Sequence, residues 1–473
     1  MTYIILKRHV AALACATLAI GACKDSTGVP DLNNPSVESV GGALTRPNLQ
    51  LLITGILNQE RNALDYPFLV FPGTMSRDFL RLDNSESRFI SETLEGPPSP
   101  GGFLARGYSP YFTAIRAETN LLNAVPGATA QITTGDKGAI NGFVKTLRAN
   151  DFYRVLETRD TLGLPVAVAD PTAVAPIVCK TKVLAYISAL LDSGYTDLQA
   201  AQTAGTTVFP ATLPAGWTSV GGDYSTIANQ IKYNRGLKGK IEVYRGLADK
   251  TTSSFTSAIT ALNIALAGAG SLDGGPYYQF STASGETANP LFDSRIHFTS
   301  SVFDSLQAGD KRISKIVVQS VPATLKVDNV NFSTRYDPAV TVTSNPGNQT
   351  RPIPILKNEE LYLLRAQAKI GAGDLAGAAA DLNIVRVASG GLAPYAAFGS
   401  ATVAINALLY EKRYSLLTDG PQRLVDLRAY GRLNAASFPP GPLSPYPGDP
   451  FNFVLPYPQA ETDVRGAGNL KCQ

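Results

Sequence analysis

The chain predicts a mainly α fold in which repeated helix pairs stack into one curved body, with long irregular loops and a few short β-hairpins. Three observations carry that prediction. First, residues 357–386 contain two short amphipathic helices: Leu361, Leu364 and Ala368 fall at i, i+3 and i+7. After the Gly373-Asp374 break, Leu375, Ala378, Ala379, Leu382 and Val385 repeat the same face. Two such helices folded back on each other form the helix–turn–helix unit of a tetratricopeptide repeat. Second, similar apolar faces recur upstream. Third, the 42 glycines and 32 prolines concentrate between the helical blocks, which predicts ordered loops over disorder.

Taken in order, Lys7 and Arg8 precede an apolar run from Val10 to Ala22. At about 1.5 Å per residue it reaches roughly 20 Å, too short for a bilayer core of about 30 Å. Residues 1–22 therefore read as a signal peptide. The run ends Ile20-Gly21-Ala22-Cys23, small residues leading into a cysteine, which makes Cys23 the expected lipidation site. Cleavage at Cys15 would leave almost no apolar core. Several acyl chains on Cys23 would give the firm membrane anchoring that one chain does not.

Residues 23–45 form a lead-in of turn formers around Pro30 to Pro35. Residues 46–270 form the N-terminal helical half, with loop excursions. Its first helix runs from Arg46 to Leu64, with Leu49, Leu52, Ile53, Ile56 and Leu57 on one face. A non-helical stretch follows from Asp65 to Arg106. Further helices are expected at Tyr108 to Val125, Lys137 to Leu156 and Lys180 to Gln202, with a helix pair from Arg235 to Ala269. Residues 271–350 read as a loop-rich middle segment. Residues 351–473 carry the pair described above and a block from Glu411 to Leu433, where Arg413, Arg423, Asp426 and Arg428 interleave with Leu416, Leu417, Leu424 and Leu427. Charges this close to an apolar stripe are expected to pair with one another at the repeat surface. Roughly four helix pairs result, and such pairs bury their apolar faces only by stacking.

Composition narrows the function. Hydrophobic residues make up 44% and charged residues 17%, and 41 Lys and Arg face 38 Asp and Glu. Near-neutrality argues against a nucleic-acid partner, whose binding rests on a basic footprint. His9 and His297 are the only histidines, so histidine-rich zinc chemistry is excluded, as is any Ser-His-Asp triad that does not use His297. No cofactor motif survives inspection. Gly371-Ala-Gly373-Asp-Leu-Ala376 matches a dinucleotide fingerprint, but a helix precedes it where that fingerprint needs a strand. Cys179 and Cys472 remain after the leader, and in an oxidising envelope they either pair or stay as two thiols.

The run Glu360-Leu-Tyr-Leu-Leu-Arg-Ala-Gln-Ala, Leu382-Asn-Ile-Val-Arg386, Glu411-Lys-Arg-Tyr, Asp419-Gly420, Arg423-Leu-Val-Asp-Leu-Arg428 and Leu455-Pro-Tyr-Pro-Gln-Ala-Glu461 resembles the C-terminal half of the SusD/RagB family. Ala149-Asn-Asp-Phe-Tyr-Arg154 with Gly163-Leu-Pro165 fits the family's N-terminal arm, and Lys24-Asp25 resembles its surface-export signal. Leu424 and Val425 stand where the family usually carries an aromatic, and Asp419 where it usually has Glu. These departures mark a distant branch. The resemblance implies a SusD-like fold and a non-catalytic outer-membrane lipoprotein facing the cell exterior. It would bind a nutrient, mostly a glycan, and hand it to a TonB-dependent, SusC-like transporter.

Ligand recognition is expected on the excursions, because loops on a rigid frame carry binding residues disproportionately. The first excursion, residues 71–89, offers Arg77, Asp78, Arg81, Asn84 and Arg88, and lies where the family often places ligand residues. The second, residues 274–298, offers Tyr277, Tyr278, Phe280 and Arg295. Sugars take a flat aromatic face against ring C–H edges and Asn, Asp or Arg for hydroxyls. The same residues also suit a bland role, with aromatics pinning loops and the Arg/Asp set closing a loop by ion pairs. Trp217 is equally a stacking platform or a loop plug. His297, between Ile296 and Phe298, reads as a core or strand residue. Two other function classes stay open: a helical-repeat envelope scaffold, and a carboxylate-dependent glycoside hydrolase.

A Cys23→Ser variant should lose incorporation of labelled palmitate. Label retained on the variant would rule out lipidation at this cysteine.

Overall fold

Thr45 opens the helical body: its hydroxyl accepts the Asn48 amide N–H at 3.3 Å and caps α1, Arg46–Ala63. The computed structural model describes residues 43–64, 66–102, 107–327, 330–438, 451 and 453–473. Residues 1–42, with the expected leader, Cys23 and most of the lead-in, lie outside the described residues. The other long helices are α2 (Ser109–Ala124), α3 (Thr134–Arg159), α4 (Lys180–Thr203), α5 (Ile227–Asp249), α6 (Thr252–Ala265), α7 (Asn358–Gly371), α8 (Leu375–Ala388), α9 (Ala401–Ser415) and α10 (Gln422–Ala429). Each packs against the next along the chain, and α5 also touches α7. The protein is mainly α. No helix among the described residues is long and apolar enough to cross a membrane.

Local chemistry sets these elements. Thr133 and Asp136 form a reciprocal capping box at the start of α3, 3.1 and 3.0 Å, which satisfies two otherwise orphaned amides. α3 runs through the middle of the stack and is buried on nearly every side. It approaches α4 closely because Gly142 and Gly194 face each other: a Cβ on Gly142 would stand 2.5 Å from Leu198 Cγ and 2.7 Å from the Gly194 carbonyl. Gly373, at φ +85°, makes the α7–α8 turn, and Asp374 caps α8 through the Gly377 amide at 2.8 Å. The glycine motif here is a repeat turn.

Several boundaries differ from expectation. α5 begins at Ile227, ahead of Arg235, because Thr226 caps it. The Glu411–Leu433 block is two helices, since α9 begins at Ala401 and a turn at 416–421 separates it from α10. Residues 65–106 include short helical turns, Phe71–Met75, Arg88–Ile90 and Ser91–Glu95. The largest difference lies in residues 271–350, which contain most of a four-stranded antiparallel sheet. Its strands are β1 (Phe79–Arg81), β5 (Ile296–Phe298), β6 (Ile316–Val327) and β7 (Val330–Pro338), in the order β1-β5-β7-β6. β6 and β7 form a long hairpin whose register shifts between Val318 and Ala323. That irregularity, around Pro322, breaks the strict alternation by which a strand is read. Two small pairs, β2 (Leu164–Pro165) with β3 (Ile177–Val178) and β4 (Tyr277–Tyr278) with β8 (Ile353–Pro354), complete the strands.

The main core threads through the helices, and Trp217 plugs it: the indole is buried and meets Phe143 and Tyr233 edge-on at 5.1 and 5.3 Å. Buried ions cross the stack as well. Arg154 pairs with Glu157 at 3.1 Å, and Lys240 lies 3.5 Å from Glu157 and 3.0 Å from Glu360, linking α3, α5 and α7. Lys412 of α9 meets Asp426 of α10 at 2.7 Å. Cys179, the cap residue of α4, is disulfide-bonded to Cys472 with the Cα atoms 4.8 Å apart. Backbone bonds between Gln473 and both Cys179 and Ile177 flank the bridge.

Replacing Cys179 and Cys472 together by Ala should lower stability by about 2–5 kcal/mol, measured as a drop in the urea midpoint. An unchanged midpoint would mean the bridge contributes nothing to the fold.

Candidate ligand-binding site

β1 of the first excursion pairs with β5 of the second, Phe79 opposite Phe298, Leu80 opposite His297 and Arg81 opposite Ile296. The two stretches singled out in the sequence thus meet along one seam, extended by the β6–β7 hairpin. A small apolar core of Leu80, Leu82, Ile90, Leu94, Leu325, Val327 and Phe332 lies beneath it. Phe79 packs on Phe298 with ring centroids 5.0 Å apart.

The chain enters β1 through Arg77, which holds a left-handed backbone at φ +64°. That conformation is uncommon for a non-glycine residue and persists only where its surroundings over-determine it. Here the Thr299 hydroxyl donates to the Arg77 carbonyl at 2.7 Å and the Thr299 amide donates to the Asp78 carbonyl at 2.9 Å. The Asp78 carboxylate then clamps the turn to the C-terminal helices. Its Oδ1 accepts from Arg413 at 2.6 and 3.1 Å, and its Oδ2 lies 3.3 Å from Arg423. Burial lowers the Arg423 guanidinium to about 10, only partly offset by Asp78. Burial acts the same way on Arg413, but the adjacent Asp78 outweighs it and raises that group.

A four-charge network edges the seam. Arg81 lies 3.2 Å from Asp83 and 3.4 Å from Asp293, with its guanidinium 4.0 Å from the centre of the Phe89 ring. Arg295 contacts Asp83 at 3.0 Å and Asp293 at 2.8 Å. Burial pushes the Asp83 carboxyl up, but hydrogen bonds from Ser85 and Arg81 and the charge of Arg295 hold it below the usual carboxylate range. His297, on β5, accepts or donates at 2.6 Å to Asp337 behind the seam.

Beside this network is a cavity of about 240 Å³, walled by Phe79, Leu80, Leu94 and Phe332, with Thr74, Arg77, Thr299, Ser300, Asn331 and Ser333 supplying polar groups. Asn331 and Ser333 project from the exposed face of β7, while Phe332 and Thr334 alternate inward. The Ser300 hydroxyl is buried and has no partner, and a buried polar atom normally has one. A volume below about 300 Å³ encloses less than a drug-sized ligand, so the cavity suits one end of a longer molecule. A larger cavity of about 550 Å³ lies between α2, residues 165–175 and the short helix Gln459–Arg465. Its polar groups are already engaged: Arg116 donates to the Val168 and Ala169 carbonyls at 2.8 Å, and Glu461 takes Tyr108 and Arg465 at 3.0 and 2.8 Å.

No protein-family model matches the chain, and no curated protein does. Solved structures do. A SusD superfamily protein from Bacteroides fragilis aligns over 89% of this chain and 97% of its own, with 15% identity and a TM-score of 0.63. NanU of B. fragilis covers 92% and 98% at 12% identity, TM-score 0.62. A protein described as SusD-like and carbohydrate-binding, also from B. fragilis, covers 89% and 98% at 12% identity, TM-score 0.63. The chain has the SusD-like fold.

Within the SusD-like frame, the residues expected to bind ligand divide sharply. Asp78 and Arg81 are buried and engaged by the protein's own charges, so they are structural. Arg77 is mostly buried, with its guanidinium 4.9 Å from the Phe451 ring centre, but it still lines the cavity. Asn84 and Arg88 are exposed, and Arg88 pairs with Glu86 at 2.6 Å. Tyr278 and Phe280 belong to the main core, a correction to their expected ligand role. Tyr277 is buried too; its hydroxyl donates to the Asp273 carbonyl at 2.7 Å and it lines a separate cavity of about 280 Å³. Sequence reasoning passed over Thr74, Ser300, Asn331 and Ser333. For Asn331 and Ser333 the available signal was the alternation Asn-Phe-Ser-Thr of a strand with one wet face.

An Asp78→Ala change leaves buried Arg413 and half-buried Arg423 without their shared anion and should cost about 3 kcal/mol, visible as an early denaturation midpoint. A wild-type midpoint would show that the clamp is energetically idle.

Proposed function

We propose that this protein is a surface-exposed, lipid-anchored substrate-binding protein that captures an oligosaccharide and delivers it to a TonB-dependent, SusC-like transporter without covalent chemistry. The observation that carries the reading is the seam cavity, where hydroxyl and amide groups and one guanidinium converge on a space partly walled by Phe79 and Phe332. That mixture suits a sugar ring, whose hydroxyls need hydrogen bonds and whose C–H edges need apolar contact. The cavity lining contains no Asp or Glu among the described residues, whereas glycoside hydrolysis needs a pair of carboxylates flanking the scissile bond. The neighbours described as carbohydrate-binding support the same ligand class, and the resemblance in the C-terminal blocks supports the transporter partner. The Cys23 motif supports the outer-membrane anchor.

Calorimetry against a panel of neutral oligosaccharides is the direct test. A binding glycan should lose roughly two- to tenfold in affinity on Asn331→Ala or Ser300→Ala, because each removes a hydrogen bond worth about 0.5–1.5 kcal/mol. Affinity unchanged in both variants would move the site elsewhere, and no binding across the panel would reject the carbohydrate reading. A tagged protein drawn from native membranes in detergent should bring a barrel transporter in equal amount; its absence would remove the delivery role.

A further inference from the structure

Glu60 and Glu118 occupy positions that should be apolar. On α1, Glu60 continues the buried stripe of Ile53, Ile56 and Leu57, and on α2, Glu118 follows Ala114 and Ile115. Asp151 of α3 is equally buried. One carboxylate oxygen from each of the three residues lies within 4.8 Å of the others. None of their six oxygens has a hydrogen-bond partner. Among the described residues no cation forms an ion pair with them, although the charges of Arg154 and Arg148 act on them from farther off. Arg154 spends its guanidinium on Glu157 and on the Ile355 carbonyl, both 3.1 Å, and sits 4.9 Å from the Phe68 ring centre. Arg148 lies over Phe152 at 5.7 Å.

A second observation comes from α5. The Tyr233 hydroxyl is buried and unpartnered, and Glu60 is the charged group that acts on it most strongly. One turn earlier, both amide atoms of buried Gln230 also lack a partner. Burial pushes the Glu60 carboxyl up to about 8, with Arg154 opposing only in part, and raises Glu118 and Asp151 as well. Three unpartnered carboxylates in a dry core are expensive unless neutralised.

We propose that Glu60, Glu118 and Asp151 bind a structural divalent cation of the calcium class that ties α1, α2 and α3 together. All three donors are hard oxygens with neither thiolate nor imidazole among them, which favours calcium over zinc or copper. Oxygens about 2.4 Å from one ion lie at most about 4.8 Å apart, so the observed spacing fits a shared coordination shell. The Tyr233 hydroxyl, on which the Glu60 and Asp151 charges act, marks the α5 side of the cluster, where coordination would be completed. Because the site is enclosed, the ion enters as the chain folds, and its binding free energy becomes folding free energy.

The test uses the mature chain purified without chelator. Elemental analysis should find close to one calcium per chain. Unfolding in urea with EDTA, then refolding with either calcium chloride or EDTA, should give a melting temperature several degrees higher with calcium. The Glu60→Gln/Glu118→Gln double variant should bind no calcium and melt at the same temperature in both buffers. Wild-type protein that carries no metal and melts identically in calcium and EDTA would overturn the site, and a stabilised double variant would assign the cluster to protonated carboxyls. Neither result depends on whether the seam binds sugar.

Discussion

A charge brought into a protein interior must find its counter-charge there, and this fold is arranged around that demand. Asp78 sits in a tight turn of the first excursion. Its carboxylate is met by Arg413 and Arg423, contributed by α9 and α10 more than 300 residues later. Removing either side strands the other in a medium that solvates it poorly. The contact ties the C-terminal repeat to the first excursion. Because Asp78 adjoins β1, the same contact sets the strand that forms the seam.

The scaffold uses this device repeatedly. Arg154, Glu157, Lys240 and Glu360 connect three helices from different parts of the chain, and Arg312 and Arg386 converge on Glu411 at 2.7 and 2.9 Å. Buried pairs of this kind add little net stability over apolar packing, yet they penalise every wrong register heavily. In a stack of similar amphipathic helices, where apolar faces alone discriminate poorly, such pairs specify which helix meets which. The candidate site inherits the benefit: the cavity walls come from residues 74–94 and 299–333, held in place by strands and ions and not by loop packing alone.

The expected ligand residues show why a site is harder to read than a scaffold. Arg77, Asp78 and Arg81 have the composition of a sugar-binding loop and also that of a loop-closing ion network, and one sequence weighs both equally. Their partners decide the matter. Arg413, Arg423 and Asp293 are far away in sequence, and no local pattern announces them. Tyr278 and Phe280 were ambiguous in the same way; both join the main core, Tyr278 from the β4–β8 pair. Glu60 and Glu118 were visible as breaks in apolar stripes, but their convergence with Asp151 required three helices to be packed.

What the sequence determined alone was periodic and local: the long helices, the repeat turn at Gly373, the capped starts, and the resemblance of the C-terminal blocks to a SusD-like frame. Those follow from side-chain spacing and short-range hydrogen bonds, which reach only a few residues along the chain. The tertiary structure alone decided the pairing of the two excursions across β1 and β5, the Asp78 clamp, the β6–β7 sheet with its irregular register, and the assembly of three buried carboxylates. All but the β6–β7 pairing join segments distant in sequence through contacts a few ångströms long, and their geometry exists only once the helices have stacked.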